Sequence, residues 1–323
     1  MKKIKIGVSG CANIAERSMI PAIKATHGFE LVAVASRSKE KAASFADTFS
    51  CEAVEGYENL INRDDINAVY IPLPTGLHEE WAMNSLNKGK HVLCEKSLAT
   101  DFSSAQKLIS KAKTSQLLIM ENFMFPYHRQ HAYVEKLLSE DAIGEIRFFR
   151  SAFGFPPRGK DDIRYNNNLG GGALLDAGGY VVKAAQIFLG TGLKLGSAFL
   201  KYDNQLKVDI YGGAIYKNDK DQIAHLSFSF DNYYQCVYEL WGTKGKITVD
   251  RAFTAPPGFS PKILLEKQDY RREFAIEPDN HFINLLNEFQ RSLIEKDFHK
   301  HWEDSLEQAR LLNLIRECRE TAE

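Results

Sequence analysis

Ile4-Lys-Ile-Gly-Val8-Ser-Gly10-Cys-Ala12-Asn13-Ile14-Ala15 runs from a short apolar strand through a glycine turn into the start of a helix. That order builds a phosphate cradle. A helix N-terminus presents backbone N–H groups with no intrahelical partner, and small residues in the turn let a pyrophosphate approach them. The spacing G-x-G-x-x-G/A falls on Gly10, Ala12 and Ala15, with a methyl group where the middle glycine usually stands. Gly10, Ala12, Asn13 and Ile14 are therefore candidate cofactor contacts.

Working outward, the same rhythm repeats. Leu31–Ala35, Ala68–Ile71, His91–Cys94 and Leu117–Met120 are short apolar runs, and helical stretches lie between them at Ile14–Thr26, Lys39–Phe49, Glu79–Lys88 and up to about Lys113. Uninterrupted apolar strands alternating with helices predict a doubly wound parallel sheet covered on both faces. From about residue 122 the pattern changes. After a helix over Gln130–Ser139, the segments Ile146–Phe153, Lys207–Tyr216, Ile223–Phe230 and Val237–Trp241 alternate at period two, and Gly242-Thr-Lys-Gly245 reads as a hairpin turn. This predicts a large open, mainly antiparallel sheet with one face packed. Phe282, Leu285, Leu286, Phe289 and Leu293, then Leu306–Ile315, mark two closing helices. The expected division is a dinucleotide-binding domain over 1–121 and an α+β domain over 122–323, whose freer sheet face could be solvated or could pair with a second subunit.

Composition narrows the function. Of 323 residues, 44% are hydrophobic and 26% charged, as in a globular protein. Lys+Arg number 41 against Asp+Glu 42, which argues against nonspecific nucleic-acid binding. No apolar run reaches the roughly 18 residues of a membrane span. The opening Met-Lys-Lys-Ile-Lys has no signal-peptide h-region, and the five cysteines are scattered without CxxC spacing, so a cytoplasmic location is expected. His128 and His131 have no acidic or cysteine partner at ligand spacing, and no metal site is expected.

The second strand ends in Ser36-Arg37, where NAD-selective sheets usually carry a carboxylate. A hydroxyl and a guanidinium would instead hold a 2′-phosphate, and Lys41 lies one turn into the next helix. NADP(H) is the expected cofactor, with NAD(H) left open. Pro74 and His78 stand in the next loop, where His78 reads as lining the cofactor loop or as a structural residue. Glu95-Lys96 ends a strand at the carboxyl edge, where open α/β sheets bind ligands. It reads either as a surface ion pair or as an ammonium beside the nicotinamide and the substrate hydroxyl. Asp176-Ala-Gly-Gly-Tyr180 lies some eighty residues on. Asp176 reads as a group that orients the substrate or Lys96, or as a cap of the helix starting near Gly178. Arg164 and Tyr165 are weaker candidates for substrate contact.

Taken together, Gly10-Cys-Ala-Asn-Ile-Ala15, Ala35-Ser-Arg37, Pro74-x-x-x-His78, Glu95-Lys96, Asp176-x-Gly-x-Tyr180 and Trp241-Gly-Thr-Lys-Gly245 resemble the glucose–fructose oxidoreductase/inositol dehydrogenase (Gfo/Idh/MocA) family over essentially the whole chain. The resemblance implies an N-terminal Rossmann domain and a C-terminal α+β domain whose open sheet joins subunits into homodimers or homotetramers. Three positions depart from the family pattern. Ser97 replaces the proline that usually follows Glu-Lys, Tyr180 stands where inositol-type dehydrogenases have histidine, and Lys183 replaces their acidic residue. With Glu121-Asn-Phe-Met-Phe125, Asp162-Ile-Arg-Tyr165 and Leu169-Gly-Gly-Gly-Ala-Leu-Leu-Asp176, the chain is most similar to nucleoside-diphosphate-hexose 3-ketoreductases. That likeness implies reduction of a nucleotide-linked keto-sugar, with Lys96 and Tyr180 as the proton-donor system and Gly10, Ala12, Asn13, Ile14, Ser36, Arg37, Lys41, Pro74, His78, Glu95 and Lys96 around the cofactor. Free tyrosine titrates near ~10, and a neighbouring ammonium would lower that value. Which of the pair hands over the proton stays open at this point. The alternatives are a dihydrodiol or aldose dehydrogenase on a free small molecule, and a redox-inactive NADP-sensing regulator.

Overall fold

The computed structural model describes residues 3–320. Its first sheet consists of β1 (Ile4–Ser9), β2 (Phe29–Ser36), β3 (Glu52–Glu55), β4 (Ala68–Ile71), β5 (His91–Glu95) and β6 (Ile119–Asn122), in the order β3-β2-β1-β4-β5-β6. Every pairing in it is parallel. The crossovers carry α1 (Ile20–Ala25), α2 (Lys39–Phe49), α3 (Tyr57–Ile61), α4 (His78–Asn87) and α5 (Phe102–Ser115). All four residues of β4 are buried, because helices cover both faces. α2 and α5 start on side-chain caps: Ser38 accepts from the Lys41 amide at 3.2 Å, and Asp101 from the Ser104 amide at 2.9 Å. Strand order reverses between β1 and β4, so the crevice beyond their carboxyl ends is the ligand position of this architecture.

The second sheet contains β7 (Ile146–Gly154), β8 (Lys194–Asp203), β9 (Val208–Lys217), β10 (Ile223–Ser229), β11 (Gln235–Gly242), β12 (Lys246–Asp250), β13 (Lys262–Lys267) and β14 (Tyr270–Ala275). Their order is β14-β13-β12-β11-β7-β10-β9-β8, antiparallel except where β10 runs parallel to β7. The period-two pattern sorts the side chains. Phe149, Phe153, Tyr216, Leu226, Phe228, Tyr238 and Leu240 fill the covered face. Phe148, Arg150, Phe199, Tyr211, Ile215 and Trp241 lie on the other, where the last four are exposed. α6 (Arg129–Ser139) precedes this sheet. α7 (Gly179–Leu189) packs on the covered face, with Phe188 centred 5.8 Å from Phe149 and 4.9 Å from Tyr238. α8 (His281–Glu295) and α9 (His299–Glu320) end the described chain. No described helix is long and apolar enough to cross a membrane.

Two compact units result: Met1–Asn122 with Phe282–Leu306, and Phe123–His281 with Glu307–Glu323. The linear division expected at 121/122 lacks this return. Its cause is the apolar stripe of α8. Phe289 sits 6.3 Å from Phe29, and Gln290 lies so close over Gly28 that a Cβ there would be 1.9 Å from its amide nitrogen. Phe298 is 5.8 Å from His91 in the same unit. The later part of α9 belongs to the second unit, where Leu311 accepts a 2.6 Å hydrogen bond from Tyr216 and Gln308 donates to the Gly179 carbonyl at 2.8 Å.

Candidate active site

In the first unit, the turn after β1 is built around Gly10, whose φ is +131°. A Cβ there would lie 2.9 Å from Leu73, so glycine alone fits both the backbone and the space. The Gly10 amide donates to the Ala35 carbonyl at 3.0 Å, tying the turn to β2. Cys11 points inward toward the Ala35 and Lys41 carbonyls, and burial pushes its thiol up to about 11, which makes it an inert filler. Ala12, Asn13 and Ile14 remain accessible at the helix start, and the Ala12 carbonyl accepts the first helical bond from Glu16 at 3.1 Å. Ser9, the last residue of β1, is 1% exposed, and its hydroxyl has no hydrogen-bond partner. A tight glycine turn, an open helix start and an unsatisfied buried hydroxyl at one strand end fit a dinucleotide pyrophosphate.

The end of β2 supplies the second part. Ser36 is buried, and its hydroxyl accepts from the Ser38 amide at 3.2 Å. Arg37 is exposed, and its guanidinium lies against the Tyr57 hydroxyl, opposing the upward shift that burial gives that phenol. Tyr57 in turn stacks edge-on with Trp81, centroids 5.1 Å apart. Lys41, on the first turn of α2, adds a second cation. The carboxylate nearest in sequence, Glu40, accepts a 2.8 Å bond from the Ser38 hydroxyl.

At the ends of β4, β5 and β6 the chain carries a buried polar network. Tyr70 and Asn122 both donate to one oxygen of Glu95. Burial pushes the Glu95 carboxyl above its ordinary value, while those two donors and the Lys96 charge pull it back. Lys96 is half-buried, and the Lys96–Ser97 peptide is cis. The Leu98 amide donates to Glu121 at 2.8 Å. Pro74 is half-exposed in the β4 loop. His78 is fully buried, with its ring nitrogens 2.8 Å from the Ser97 carbonyl and 2.7 Å from that of Leu73. It therefore ties the loop to the segment after Lys96 and does not line the loop's open side as expected. Burial holds its pKa below the ordinary value. Tyr70, Asn122 and Glu121 were not anticipated as site residues. Their signal is positional: groups able to hydrogen-bond at the last residues of otherwise apolar parallel strands.

In the second unit Tyr180 opens α7, just after a single π-helical turn over Leu174–Gly178. Gly178 is closely packed, since a Cβ would sit 3.3 Å from side-chain atoms of both Leu174 and Phe228. The Tyr180 ring is enclosed by Phe153 at 5.0 Å, Phe123 at 5.5 Å, Phe253 at 5.7 Å and Phe125 at 5.9 Å, and its hydroxyl lies 3.9 Å from the Met124 sulfur. Four rings fix the phenol's direction. Lys183, one turn later, is buried and donates to Gln186 at 3.3 Å, with Glu307 as a neighbouring charge.

Asp176 does not cap the helix; it lies inside the π-turn and accepts from Arg164 at 2.6 Å. Arg164 also donates to Asp162 at 3.0 Å, and these two carboxylates raise its pKa against the effect of burial. The expected substrate contact Arg164 is thus committed to holding its loop. Gly171 and Gly172 complete that loop: the Gly172 amide donates to the Arg164 carbonyl at 2.9 Å, and a Cβ at Gly171 would lie 2.4 Å from the same oxygen. The Tyr165 hydroxyl accepts from the Arg158 amide at 3.0 Å. His131 is enclosed between the Tyr238 hydroxyl and the Ala252 carbonyl, each at 3.0 Å, and His128 caps α6. Both are structural, and the described residues contain no cluster of three or more His, Cys, Asp or Glu able to hold a metal.

Residues 4–123 match the model of an oxidoreductase family with an NAD-binding Rossmann fold, and residues 131–248 match the GFO/IDH/MocA C-terminal domain. The chain is 41% identical over 314 residues to the dTDP-3,4-didehydro-2,6-dideoxy-α-D-glucose 3-reductase of Actinomadura kijaniata, covering 97% of this chain and 95% of that one. It is 30% identical to a D-xylose 1-dehydrogenase (NADP+) of Haloferax volcanii, over 89% of this chain and 88% of that protein. Among solved structures, the 3-ketoreductase KijD10 of Actinomadura kijaniata, in complex with NADP and TDP-benzene, superposes with a TM-score of 0.95 at 40% identity, covering 98% of each chain.

Proposed function

Since the chain belongs to the Gfo/Idh/MocA family of oxidoreductases, we propose that it is an NADP-dependent reductase of the 3-keto group of a nucleoside-diphosphate-linked deoxyhexose, working in the cytoplasm. The likeness over nearly the full length to dTDP-sugar 3-reductases carries this reading. It is supported by Tyr180, which stands in the Asp176-x-Gly-x-Tyr180 stretch where inositol-type dehydrogenases have histidine.

The Gly10 turn, Ala12, Asn13 and Ile14 would hold the cofactor's pyrophosphate, and Ser36, Arg37 and Lys41 its 2′-phosphate. Bound there, the reduced cofactor would supply a hydride to the sugar carbonyl carbon. As negative charge grows on the carbonyl oxygen, the Lys96 ammonium stabilises it and Tyr180 donates its phenolic proton, leaving an alcohol. Lys96 then favours the phenolate until a solvent proton restores the phenol. Asp176, held by Arg164, keeps the Tyr180 turn in place. The exposed face of the second sheet, with Phe199, Tyr211, Ile215 and Trp241, joins two copies of the chain.

NADPH oxidation in the presence of a dTDP-linked 3-keto-2,6-dideoxyhexose tests the reading, with the free sugar and D-xylose as comparison substrates. Turnover that depends on the nucleotide and falls at least roughly 100-fold in Tyr180→Phe is expected. Turnover on D-xylose with none on the nucleotide sugar would establish the free-sugar dehydrogenase instead. Tight NADPH binding without turnover on any of the three would establish the sensor.

A further inference from the structure

Behind Lys96 lies a buried polar network that takes no direct part in the proposed reaction. Tyr70, Glu95 and Asn122 come from three neighbouring strands, β4, β5 and β6. The register sets Tyr70 beside Leu93 and Glu95 beside Asn122, so all three side chains emerge on the same face of the sheet. The Tyr70 hydroxyl donates to Glu95 Oε1 at 2.6 Å, and Asn122 Nδ2 donates to the same oxygen. An oxygen that takes two donors is acting as a carboxylate acceptor. Tyr70 is fully buried and Asn122 is 1% exposed, so neither bond competes with bulk water. The Asn122 amide is turned toward Glu95 at the expense of its own carbonyl oxygen, which has no hydrogen-bond partner.

Beyond Lys96 the backbone is held as well. The His78 ring faces the Ser97 carbonyl at 2.8 Å, and Glu121, on the opposite face of the sheet from Asn122, accepts from the Leu98 amide at 2.8 Å. Lys96 therefore stands between a residue fixed through its side chain and two residues fixed through their backbone. A lysine stem with four rotatable bonds gains most from such anchoring, since a displacement of about 1 Å in a catalytic group costs on the order of 100-fold in rate.

We propose that Tyr70 and Asn122 are positioning residues for Lys96: by clamping Glu95 from two adjacent strands they set the direction in which Lys96 leaves β5 and keep a carboxylate beside its ammonium. The proposal rests on the reading above, in which Lys96 stabilises the carbonyl oxygen. A clamp serving only stability would lower folding stability alike whether or not Lys96 is present. A positioning clamp acts on turnover only while Lys96 is there.

The experiment compares Tyr70→Phe, Asn122→Ala, Lys96→Met and the double variant Tyr70→Phe/Lys96→Met. It measures kcat and KM with NADPH and the dTDP-linked keto-sugar. In the protein without substrate it also measures the rate at which Lys96 is acetylated by trace acetic anhydride, read by mass spectrometry with Lys39 as the exposed reference. Tyr70→Phe is expected to lower kcat about 10-fold with both KM values within about 2-fold, to lose that effect in the Lys96→Met background, and to change Lys96 labelling several-fold while Lys39 stays constant. Asn122→Ala repeats the pattern and serves as the test should Tyr70→Phe fail to fold. Wild-type kcat and labelling in both single variants, beside a Lys96→Met enzyme whose turnover is strongly lowered but still measurable, overturn the clamp and leave the proposed reaction standing. Equal losses with and without Lys96 also overturn it. Wild-type turnover in Lys96→Met overturns the proposed reaction itself, and unchanged Lys96 labelling then disposes of the clamp independently.

Discussion

At the scale of single residues, cofactor choice turns on the end of β2. Arg37 is exposed, rests against Tyr57 and follows a buried Ser36, and Lys41 is the next cation along the chain. A guanidinium bonded to a phosphate dianion contributes roughly 2–3 kcal/mol, and a carboxylate in its place repels the same group. Arg37→Asp should therefore lower kcat/KM for NADPH by about 100-fold and leave the value for NADH within a few-fold, measured side by side with one sugar substrate. An equal loss with both cofactors would remove Arg37 from the 2′-phosphate site. The places of Gly10 and Arg37, at a turn and just past a strand end, were legible in the sequence because periodicity alone fixes them. Arg164 was not: nothing in Asp162-Ile-Arg-Tyr165 shows that Asp162 and Asp176 both claim the guanidinium. His78 was misplaced for a similar reason, since its burial depends on two carbonyls brought in by the folding of separate segments.

At the scale of elements, strands covered on both faces were easy to read and edge strands were not. β4 is wholly buried and stands out as an apolar run, whereas β3 has the composition Glu-Ala-Val-Glu with only Val54 partly covered. β14 likewise reads Tyr-Arg-Arg-Glu-Phe-Ala and is almost wholly exposed. Edge strands hydrogen-bond on one side and need little apolar surface, so they leave little trace in a hydrophobic pattern. The open face of the larger sheet was legible as alternation. Its apolar residues are clustered, with Phe199 66% exposed, Trp241 43%, Ile215 42% and Tyr211 40%, and Arg150 lies 4.5 Å over the Trp241 ring. An exposed apolar face of this kind is suited to a partner, and a second copy of the same sheet would offer a self-complementary one. Sedimentation equilibrium should give a dimer or tetramer for the wild-type chain and a shift toward monomer for Trp241→Glu, with secondary structure retained. A wild-type chain that sediments as a monomer at micromolar concentration would remove this face as a subunit contact.

At the scale of the whole molecule, the histidines set how the fold responds to acid. His131 is pushed down to about 3 and His281 to about 4, in each case first by burial, with neighbouring rings adding to the effect. His128, whose ring lies 5.9 Å from His281, is lowered as well, again chiefly by burial. His91, in the other compact unit, is pushed down to about 4 by burial. All these rings are neutral in the folded chain at pH 7, and in the unfolded chain they take up a proton below about pH 6.5. Between those values the unfolded state binds more protons, so stability is fully present above about pH 6.5 and falls as the pH drops toward 4. For His131 alone the linkage at pH 5 is about 2 kcal/mol, from a gap of about 1.5 pH units below the unfolded value. Thermal unfolding followed at pH 7, 6 and 5 should show the midpoint falling steadily. His131→Gln keeps a donor and an acceptor for Tyr238 and Ala252 but has no charge to gain. It should unfold at a lower temperature than the wild type at pH 7 and lose less on going to pH 5, so that the two curves converge. Parallel curves would mean that His131 takes up its proton in the folded state as readily as in the unfolded one, and the acid response would then lie with the other buried rings.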